Sequence, residues 1–471
     1  MRPIVWLATG LLMSGCMLMP PASRIDEAGQ APGAWSATKQ GKAGIDDDWV
    51  GRFGGREVKK LVAEAYAANG DLRAAAARVE RAAAVAKGAG AAARPQLTAG
   101  GSANRDARNF IGFPIGNAGG GQGVQRVINN TYGAQLALSW EIDLWGRVRA
   151  GEQAALADLQ AQGNLYRGSR ASLAAQVVRS WLLVCEINGQ IVLAEEALRT
   201  RMDTAELVRG RFERGAGEGQ ASGSQLRLAE TDVETAKAAL EARKGEKDQA
   251  VRQLEILLGR YPSAELVGRS TLPGVKSMPP AGLPSELLLR RPDILAAERR
   301  LAAAGRRRDE AFLAFFPSFS LTATAGQSTD QLRNIFDSAY GVWSIAGQAA
   351  QPILQGGRLK SQLEARGAEE REALADLQQT VLRGFGEVET ALAADRYLAA
   401  RVTAIDSAFE MARDGAESAR RDFTLGTGDV LTLLASENRR IELASQRLTL
   451  RRLRLENRVN LHLALGGDYT I

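Results

Sequence analysis

Side chains that commonly carry catalysis or bind metals are scarce in this sequence. It contains one histidine, His462, whose leucine neighbours favour a place in a hydrophobic core. Cys185 stands in an apolar stretch that predicts a buried thiol, and Gly119–Gly121 is followed by no Lys-Ser/Thr pair that would make a phosphate-binding loop. The sequence shows no nucleophile with a base and no metal-ligand cluster. We therefore expect neither an enzyme nor a resident cofactor.

The charge balance argues against a second class of function. The 60 basic and 54 acidic residues leave a formal charge of +6. This mixture does not indicate nucleic-acid binding, because charged stripes on long helices account for it. Two cysteines imply no disulfide framework.

The second cysteine, Cys16, is placed for covalent modification. A basic N-terminus is followed by an apolar run, Ile4–Met13, that is too short to span a bilayer, and Ser14 and Gly15 stand directly before the cysteine. This pattern resembles a bacterial lipoprotein signal. Residues 1–15 would be removed, and Cys16 would carry a diacylglycerol and an N-acyl chain. An ordinary secretory signal with an incidental cysteine is the alternative.

The residues after Cys16 indicate where the chain is exported and how it is anchored. Met17, rather than Asp, follows the cysteine, which in such lipoproteins suggests the outer membrane. Several acyl chains anchor stably, since each buried CH₂ contributes about 0.8 kcal/mol. Residues 16–55 are predicted to be an extended segment, docked by Trp35 and Trp49. We expect no helical membrane span in the rest of the chain.

The chain is organised around a long stretch that occurs twice. Gly146-Arg147 and Phe212 have counterparts 211 residues later in Gly357-Arg358 and Phe423. Apolar residues recur between them at steps of three and four, which predicts helices about 100 Å long, each followed by a return helix. We expect antiparallel coiled-coil hairpins, and an exposed four-helix bundle is the alternative. The predicted segments are a first repeat 56–262 with helices 146–212 and 222–258, a linker 263–284, and a second repeat 285–471 with helices 357–423 and 430–465.

Each repeat also carries a predicted β-hairpin, at about 95–143 and about 317–352. Apolar and polar residues alternate over nine or ten positions in the first strand of each hairpin, and without a break from Tyr132 to Ile142 in the second strand of the first hairpin. Strands with one apolar face are typical of transmembrane barrels, and three chains with four strands each would supply twelve. A small soluble sheet is the alternative. Aromatic residues near the strand ends resemble an interfacial belt: Trp140, Trp145, Phe315, Phe316, Tyr340 and Trp343.

A shorter helix precedes each hairpin. The first is interrupted at Asn69-Gly70-Asp71, where Asp71 is the predicted N-cap, and the second opens at Pro292-Asp293. Arg147 and Arg358 occupy the first turns of the long helices, where a cation opposes the helix dipole. Two explanations stay open from the sequence, a position facing lipid phosphates and a position facing the lumen.

Four motifs together resemble the outer-membrane factor family, the TolC-like ducts of Gram-negative bacteria, and in particular its NodT/OprM-like lipoprotein branch. The resemblance implies a mainly α fold with transmembrane β: a homotrimer whose twelve-strand outer-membrane barrel continues into a periplasmic α-helical barrel. It implies an exit duct for small molecules, with a periplasmic adaptor and an inner-membrane resistance-nodulation-division pump as partners. The motifs are Arg290–Leu301, Phe315–Phe319, Gln351–Leu359 and Leu463–Gly467.

The resemblance also assigns roles to the two helix turns. They would dock the adaptor, and Asp429 with Glu218 would present carboxylates at the periplasmic aperture. The alternative for Asp429 is a helix N-cap. A duct for type I protein secretion and, further away, a trimeric coiled-coil adhesin stalk are alternative functions. The predicted docking residues are Gly215, Ala216, Gly217, Gly426, Thr427 and Gly428.

Overall fold

The structure, a computed structural model, contains eight helices and four strands in its described part. The described residues are 24, 26, 29, 31–37, 48–110, 124–213, 222–275, 278, 281–282 and 284–467. The helices are α1 (Gly55–Ala68), α2 (Gly70–Ala91), α3 (Arg147–Glu213), α4 (Gly223–Leu257), α5 (Pro284–Arg290), α6 (Pro292–Leu313), α7 (Arg358–Leu425) and α8 (Val430–Ala464). The strands are β1 (Gln96–Phe110), β2 (Gln125–Ile142), β3 (Ser318–Thr329) and β4 (Gly341–Ala350).

The four strands form one antiparallel sheet in the order β1-β2-β3-β4. The predicted strands of the first hairpin, nine or ten residues for β1 and Tyr132–Ile142 for β2, were too short, because β1 has 15 residues and β2 has 18. Backbone pairing continues from Asn104↔Thr131 to Phe110↔Gln125, beyond the end of the apolar alternation. A ladder of backbone hydrogen bonds does not require alternating side chains, so the pattern marked only the half-apolar part.

The chain forms two compact units, each built from parts of both repeats. The first contains the sheet and the described residues of 81–160 and 299–374, together with Arg24. The second contains the described residues of 25–80, 161–298 and 375–471.

Contacts within the first unit place its helices in a definite order. Ala157 of α3 packs with Ala302 and Ala303 of α6, and Gly90 of α2 faces Glu152 of α3. The order α2-α3-α6-α7 is completed by an ion pair of 3.0 Å between Arg308 of α6 and Glu370 of α7. It matches the order of the strands, since α2 and α6 precede β1 and β3 while α3 and α7 follow β2 and β4.

The second unit has the corresponding order α4-α3-α8-α7. Arg209 of α3 pairs with Glu230 of α4 at 2.9 Å, and Arg440 of α8 pairs with Glu196 of α3 at 2.9 Å. On its other side α8 is joined to α7 by Arg458 and Asp395, both buried. The core beneath these helices includes Trp49, Trp181, Leu182, Leu254 and Val459.

Each return helix ends against the start of a shorter helix in the second unit. Asn69 donates to the carbonyl of Leu257, the last residue of α4, and Arg291 donates to the carbonyl of Ala464, the last residue of α8, both at 3.0 Å. The last carbonyls of a helix have no partner within it, so these contacts satisfy groups that would otherwise be buried unpaired. Asn69 and Arg291 stand at equivalent positions of the two repeats.

Asn69 also corrects the predicted cap of α2. Its side chain accepts a hydrogen bond from the backbone N–H of Leu72 at 3.0 Å, so Asn69 and not Asp71 is the N-cap. The reason is backbone conformation: Asn69 is extended (φ −64°, ψ 128°), as a cap requires, whereas Asp71 already lies in the first turn.

A buried cation strengthens the second of these two junctions. Arg291 pairs with Asp293 and Glu387, both at 2.7 Å. Burial lowers the pKa of the guanidinium, but hydrogen bonds and charge from the two carboxylates more than offset this, so the pKa of Arg291 lies above its usual value. Arg291 therefore stays charged, as a buried ion pair must to be stable.

The residues singled out for burial lie in this second unit. Trp35 donates to the carbonyls of Ala281 and Gly282, and Trp49 is fully buried, as predicted for anchors of the N-terminal segment. Cys185 is buried, which raises the pKa of its thiol to about 12. His462 stacks on Trp49 with ring centroids 5.7 Å apart.

One described helix, α3, is long and apolar enough to cross a membrane by length and composition alone, so the absence of a helical span stays a prediction. However, 61% of its most apolar 18-residue stretch is buried inside the fold, as in the core helix of a soluble protein.

Glycine is required where α8 ends. Gly466 has φ +72°, and a Cβ there would lie 3.0 Å from the carbonyl carbon of Arg290 and 3.1 Å from the nitrogen of Arg291.

We expect Gly466→Ala to lower the free energy of unfolding by about 1–3 kcal/mol, because left-handed backbone is strained for alanine. The cost should appear as a lower melting temperature at a fixed scan rate. Gly415→Ala, in open space within α7, is the control and should be neutral or slightly stabilising. Equal melting temperatures for both variants would contradict the argument.

Candidate channel wall and hairpin tips

The strand register places most of the large apolar residues of the four strands on one side of the sheet, hereafter the apolar face. Leu97 pairs with Leu138, Leu138 with Ala323 and Ala323 with Ile345, which makes one continuous row. The next row on that side is Ala99, Leu136, Ala325 and Trp343. These side chains are open to solvent in the single chain; Trp343 is 77% exposed. A contiguous apolar surface of this kind marks a membrane or an interaction site.

The opposite side, hereafter the polar face, carries hydroxyl and amide groups. Thr98, Thr324 and Ser344 lie in one row across β1, β3 and β4, and the hydroxyls of Thr324 and Ser344 are hydrogen-bonded at 2.7 Å. Two charged pairs lie at its ends, Asp106 with Arg108 at 2.9 Å and Glu141 with Arg147 at 2.7 Å. This face can therefore meet water without uncompensated charge.

The apolar face has the height of a membrane. In β2 it runs from Ile142 to Tyr132, which spans about 33 Å along the strand at 3.3 Å per residue. Strands of membrane barrels tilt by roughly 35–45°, which reduces this to about 25 Å, the height of the apolar band of such barrels.

The turn before α3 explains the placement of Arg147. Its guanidinium donates to both carboxylate oxygens of Glu141, at 2.7 and 2.9 Å, so the cation is held by the end of β2. Asp143 caps α3, accepting from the N–H groups of Val148 and Arg149. Arg358, the counterpart of Arg147, donates instead to the neutral side chain of Gln355.

Arginines of α8 link it to both neighbouring helices. Arg452 bonds Glu186 of α3, while on the other side Arg447 and Arg451 share Asp406 of α7. Burial lowers the pKa of the Arg452 guanidinium, but the charges of Glu456 and Glu186 raise it by a larger amount. The pKa of Arg452 therefore lies above its usual value. The sequence interpretation missed these links. A signal existed, because Arg447 and Arg458 on α8, like Asp406 and Asp395 on α7, are eleven residues apart.

The second hairpin turn is tight because of its glycines. Gly426 has φ +88°, and a Cβ on Gly428 would lie 2.8 Å from the backbone nitrogen of Phe423. Asp429 accepts from the N–H groups of Leu431 and Thr432, at 3.0 and 3.3 Å. Its carboxylate is therefore an N-cap of α8. The first turn, with Gly215, Ala216, Gly217 and Glu218, lies outside the described residues, as does Cys16.

The two hairpins meet beside this turn. The guanidinium of Arg211, near the end of α3, lies 3.8 Å from the ring centre of Phe423. Phe423 is buried with Val208, Ala229 and Leu433, whereas its repeat counterpart Phe212 is exposed. The repeats thus differ at the tip, where a partner could distinguish them.

Comparison with known proteins decides the family. The model for "Outer membrane efflux protein" matches residues 61–260 and 283–467. The chain belongs to this family. It is 29% identical to the cation efflux system protein CusC of Escherichia coli O6:H1 (strain CFT073), over 98% of this chain and 97% of CusC. It is 30% identical to the antibiotic efflux pump outer membrane protein ArpC of Pseudomonas putida, over 98% and 94% of the two chains. The solved structure of the outer-membrane channel OprN matches with a TM-score of 0.83 and 25% identity, over 96% and 99%.

Membership of the family confirms the predicted function. The chain is an outer-membrane channel, the exit duct of a tripartite efflux system, and such systems imply an adaptor and a pump as partners. The two hairpins, the open apolar face and the paired long helices are the features that suit it to this role.

Proposed function

We propose that three copies of this chain close a single channel for small molecules, with a twelve-strand barrel in the outer membrane and an α-helical barrel in the periplasm. The duct is passive and catalyses no reaction. The observation that carries this proposal is the pair of free edges, β1 and β4, that the sheet presents among the described residues. The packing contacts and ion pairs given above link the helices of the first unit in an order that ends at α2 and α7, and those of the second unit in an order that ends at α4 and α7.

The direction of the strands supports closure by identical copies. In a four-stranded antiparallel meander β4 runs opposite to β1. Joining β4 of one copy to β1 of the next therefore continues the antiparallel pattern, and a closed ring leaves no free edge in the bilayer, where unpaired backbone groups are costly. Four strands are too few to enclose a pore, whereas twelve would make a water-filled one.

Disulfide trapping tests this closure. Thr98→Cys or Ser102→Cys on β1, each combined with Ser344→Cys or Gln348→Cys on β4, places pairs of thiols on the polar face of the two edges. Mild oxidation should give covalent dimers and trimers for at least one pair, because neighbouring strands bring Cα atoms within disulfide range. Thr98→Cys with Thr324→Cys, in which Thr324 lies in the interior strand β3, is the control and should stay monomeric on denaturing gels. Only monomers for every edge pair of a folded, detergent-extracted protein would exclude the ring.

We further propose that Cys16 is acylated and anchors the chain. The guanidinium of Arg24 lies 2.5 Å from the carboxylate of Glu370, which also binds Arg308 at 3.0 Å. Burial raises the pKa of Glu370, but hydrogen bonds from the two arginines more than offset this and the net pKa is lowered, so the pair is charged at neutral pH. From Glu370 back to Arg358, where α7 follows the sheet, is about 18 Å of helix. The eight residues from Cys16 to Arg24 can span about 27 Å, so this segment is long enough to reach the end of the sheet at which α7 begins.

The mass of the mature chain tests the anchor. Protein extracted from membranes should lack residues 1–15 and carry the added mass of a diacylglycerol and one acyl chain. Cys16→Ser should remove both changes, since signal cleavage of lipoproteins follows acylation. A wild-type chain that is cleaved but unmodified would support the ordinary secretory signal instead.

We propose that the adaptor docks at the two helix turns and that Asp429 contributes to a ring of carboxylates at the aperture, joined by Glu218. The structural support is local: Gly426, Thr427 and Gly428 form a short exposed reversal next to Asp429. Capping and a ring are compatible roles, because both cap hydrogen bonds end on the same carboxylate oxygen, Oδ2.

Substitution of Asp429 separates its two roles. Asparagine caps helices about as well as aspartate, so Asp429→Asn should leave the melting temperature unchanged while lowering the preference of the reconstituted channel for cations. Asp429→Ala should show the same loss of preference and also cost about 1 kcal/mol of stability. Reversal potentials in a salt gradient across planar bilayers measure the preference. If Asp429→Asn conducts like the wild type, capping is the only role of the carboxylate.

The names of the relatives indicate the kind of partner more clearly than they indicate the transported substance. CusC is named for cation efflux and ArpC for antibiotic efflux, so their names share no single substrate class. We propose a resistance-nodulation-division pump as the inner-membrane partner. Sensitivity of a deletion strain to a panel of dyes, antibiotics and metal ions would identify the cargo, and loss of one secreted protein alone would favour protein export.

A further inference from the structure

The end of the sheet from which α3 and α7 continue carries large apolar side chains that are exposed to solvent in the first unit. Ile353 and Leu354, in the connection from β4 to α7, are 92% and 90% exposed. Leu144 and Trp145, in the connection from β2 to α3, and Phe316, before β3, are exposed as well. Trp145 packs on Phe316 with ring centroids 5.5 Å apart. These five residues are called the apolar collar.

Two exposed cations stand beside the collar. Arg149 and Lys360 occupy equivalent positions in the first turns of α3 and α7, and those first turns contain no acidic residue. The helix dipole disfavours cations there. Each cation has one long ion pair, Arg149 with Asp143 at 3.8 Å and Lys360 with Glu364 at 3.9 Å, and Asp143 also accepts the cap hydrogen bonds of α3. Pairs of this length leave room for a second anionic partner at each cation.

Helix geometry puts Arg149 on the side of the apolar face. Arg147 binds Glu141, which belongs to the polar face. Arg149 follows two residues later, about 200° around the helix axis, and so lies on the other side. Lys360 occupies the equivalent position of α7, two residues after Arg358. Both cations are open to solvent, with Lys360 80% exposed at its side chain.

We infer that the apolar collar, with Arg149 and Lys360, is a binding surface for anionic phospholipid headgroups of the periplasmic leaflet. The collar continues the 25 Å apolar band downward, so its side chains enter the interfacial region of that leaflet. Long basic side chains keep their charge at headgroup level while their stems cover apolar surface. Phosphate then supplies a second, closer anionic partner to each cation. The inference rests on the proposed membrane barrel.

Retention of lipid by the purified trimer tests this surface. Full-length wild type and the Arg149→Gln/Lys360→Gln variant are exchanged into micelles containing phosphatidylglycerol and phosphatidylcholine with the same acyl chains. Bound lipids are then counted by native mass spectrometry. The wild type should retain phosphatidylglycerol preferentially, and the variant should bind it about fivefold more weakly for each cation removed. Arg243→Gln/Lys244→Gln, which removes two exposed cations of α4, is the matched control and should behave like the wild type.

Three outcomes would overturn the inference. One is equal retention of phosphatidylglycerol by the wild type and by Arg149→Gln/Lys360→Gln. A second is displacement of the lipid by inorganic phosphate at similar concentration, which would show a site for free anions. A third is loss of the trimer in that variant, which would place the collar between copies of the chain. Trimer mass and pore conductance are measured on the same wild-type preparation. If the wild type forms neither trimers nor pores, the barrel proposal is wrong. If it forms both, the lipid result tests the lipid-binding surface by itself.

Discussion

The helical part of the molecule depends on how its return helices end. A helix leaves its last carbonyl groups without partners within the helix. In the second unit, a carbonyl at the end of each return helix accepts a hydrogen bond from a side chain at the start of another helix. Asn69 does this for α4 and Arg291 for α8. Glycines with left-handed backbone, Gly259 and Gly466, turn the chain away at both places. Two helices can therefore follow one another end to end without leaving buried polar groups unsatisfied.

The sheet depends on register in the same way. Alternation within one strand says only that the strand has two different sides. A shift of one residue between neighbouring strands would interleave apolar and polar side chains and destroy both faces. The observed pairing aligns Leu97, Leu138, Ala323 and Ile345 in one row, and the hydroxyl-bearing residues in the next. One face can then meet lipid while the other meets water, which a channel wall requires.

The two repeats share a plan but differ at both ends of the long helices. At the sheet end, Arg147 is neutralised by Glu141, whereas Arg358 bonds only a neutral amide among its described partners. At the turn end, Phe423 is buried under Arg211 and Phe212 is exposed. Between these ends the long helices differ as well, since the ion-paired Asp395 of α7 stands where α3 has the buried Val184.

The sequence alone determined the elements and the family. Periodicities of two and of three to four located the strands and the long helices, since side-chain spacing follows directly from backbone geometry. The motifs around Arg291, Pro317 and Gly357 identified the outer-membrane efflux proteins. Only the tertiary structure decided which side chains meet. The Asn69 cap, the Glu141–Arg147 pair and the arginine bridges of α8 depend on segments that lie far apart in the chain or on the local backbone conformation. The alignment of apolar rows into one face depends likewise on pairing between hairpins of different repeats, which no single periodicity records.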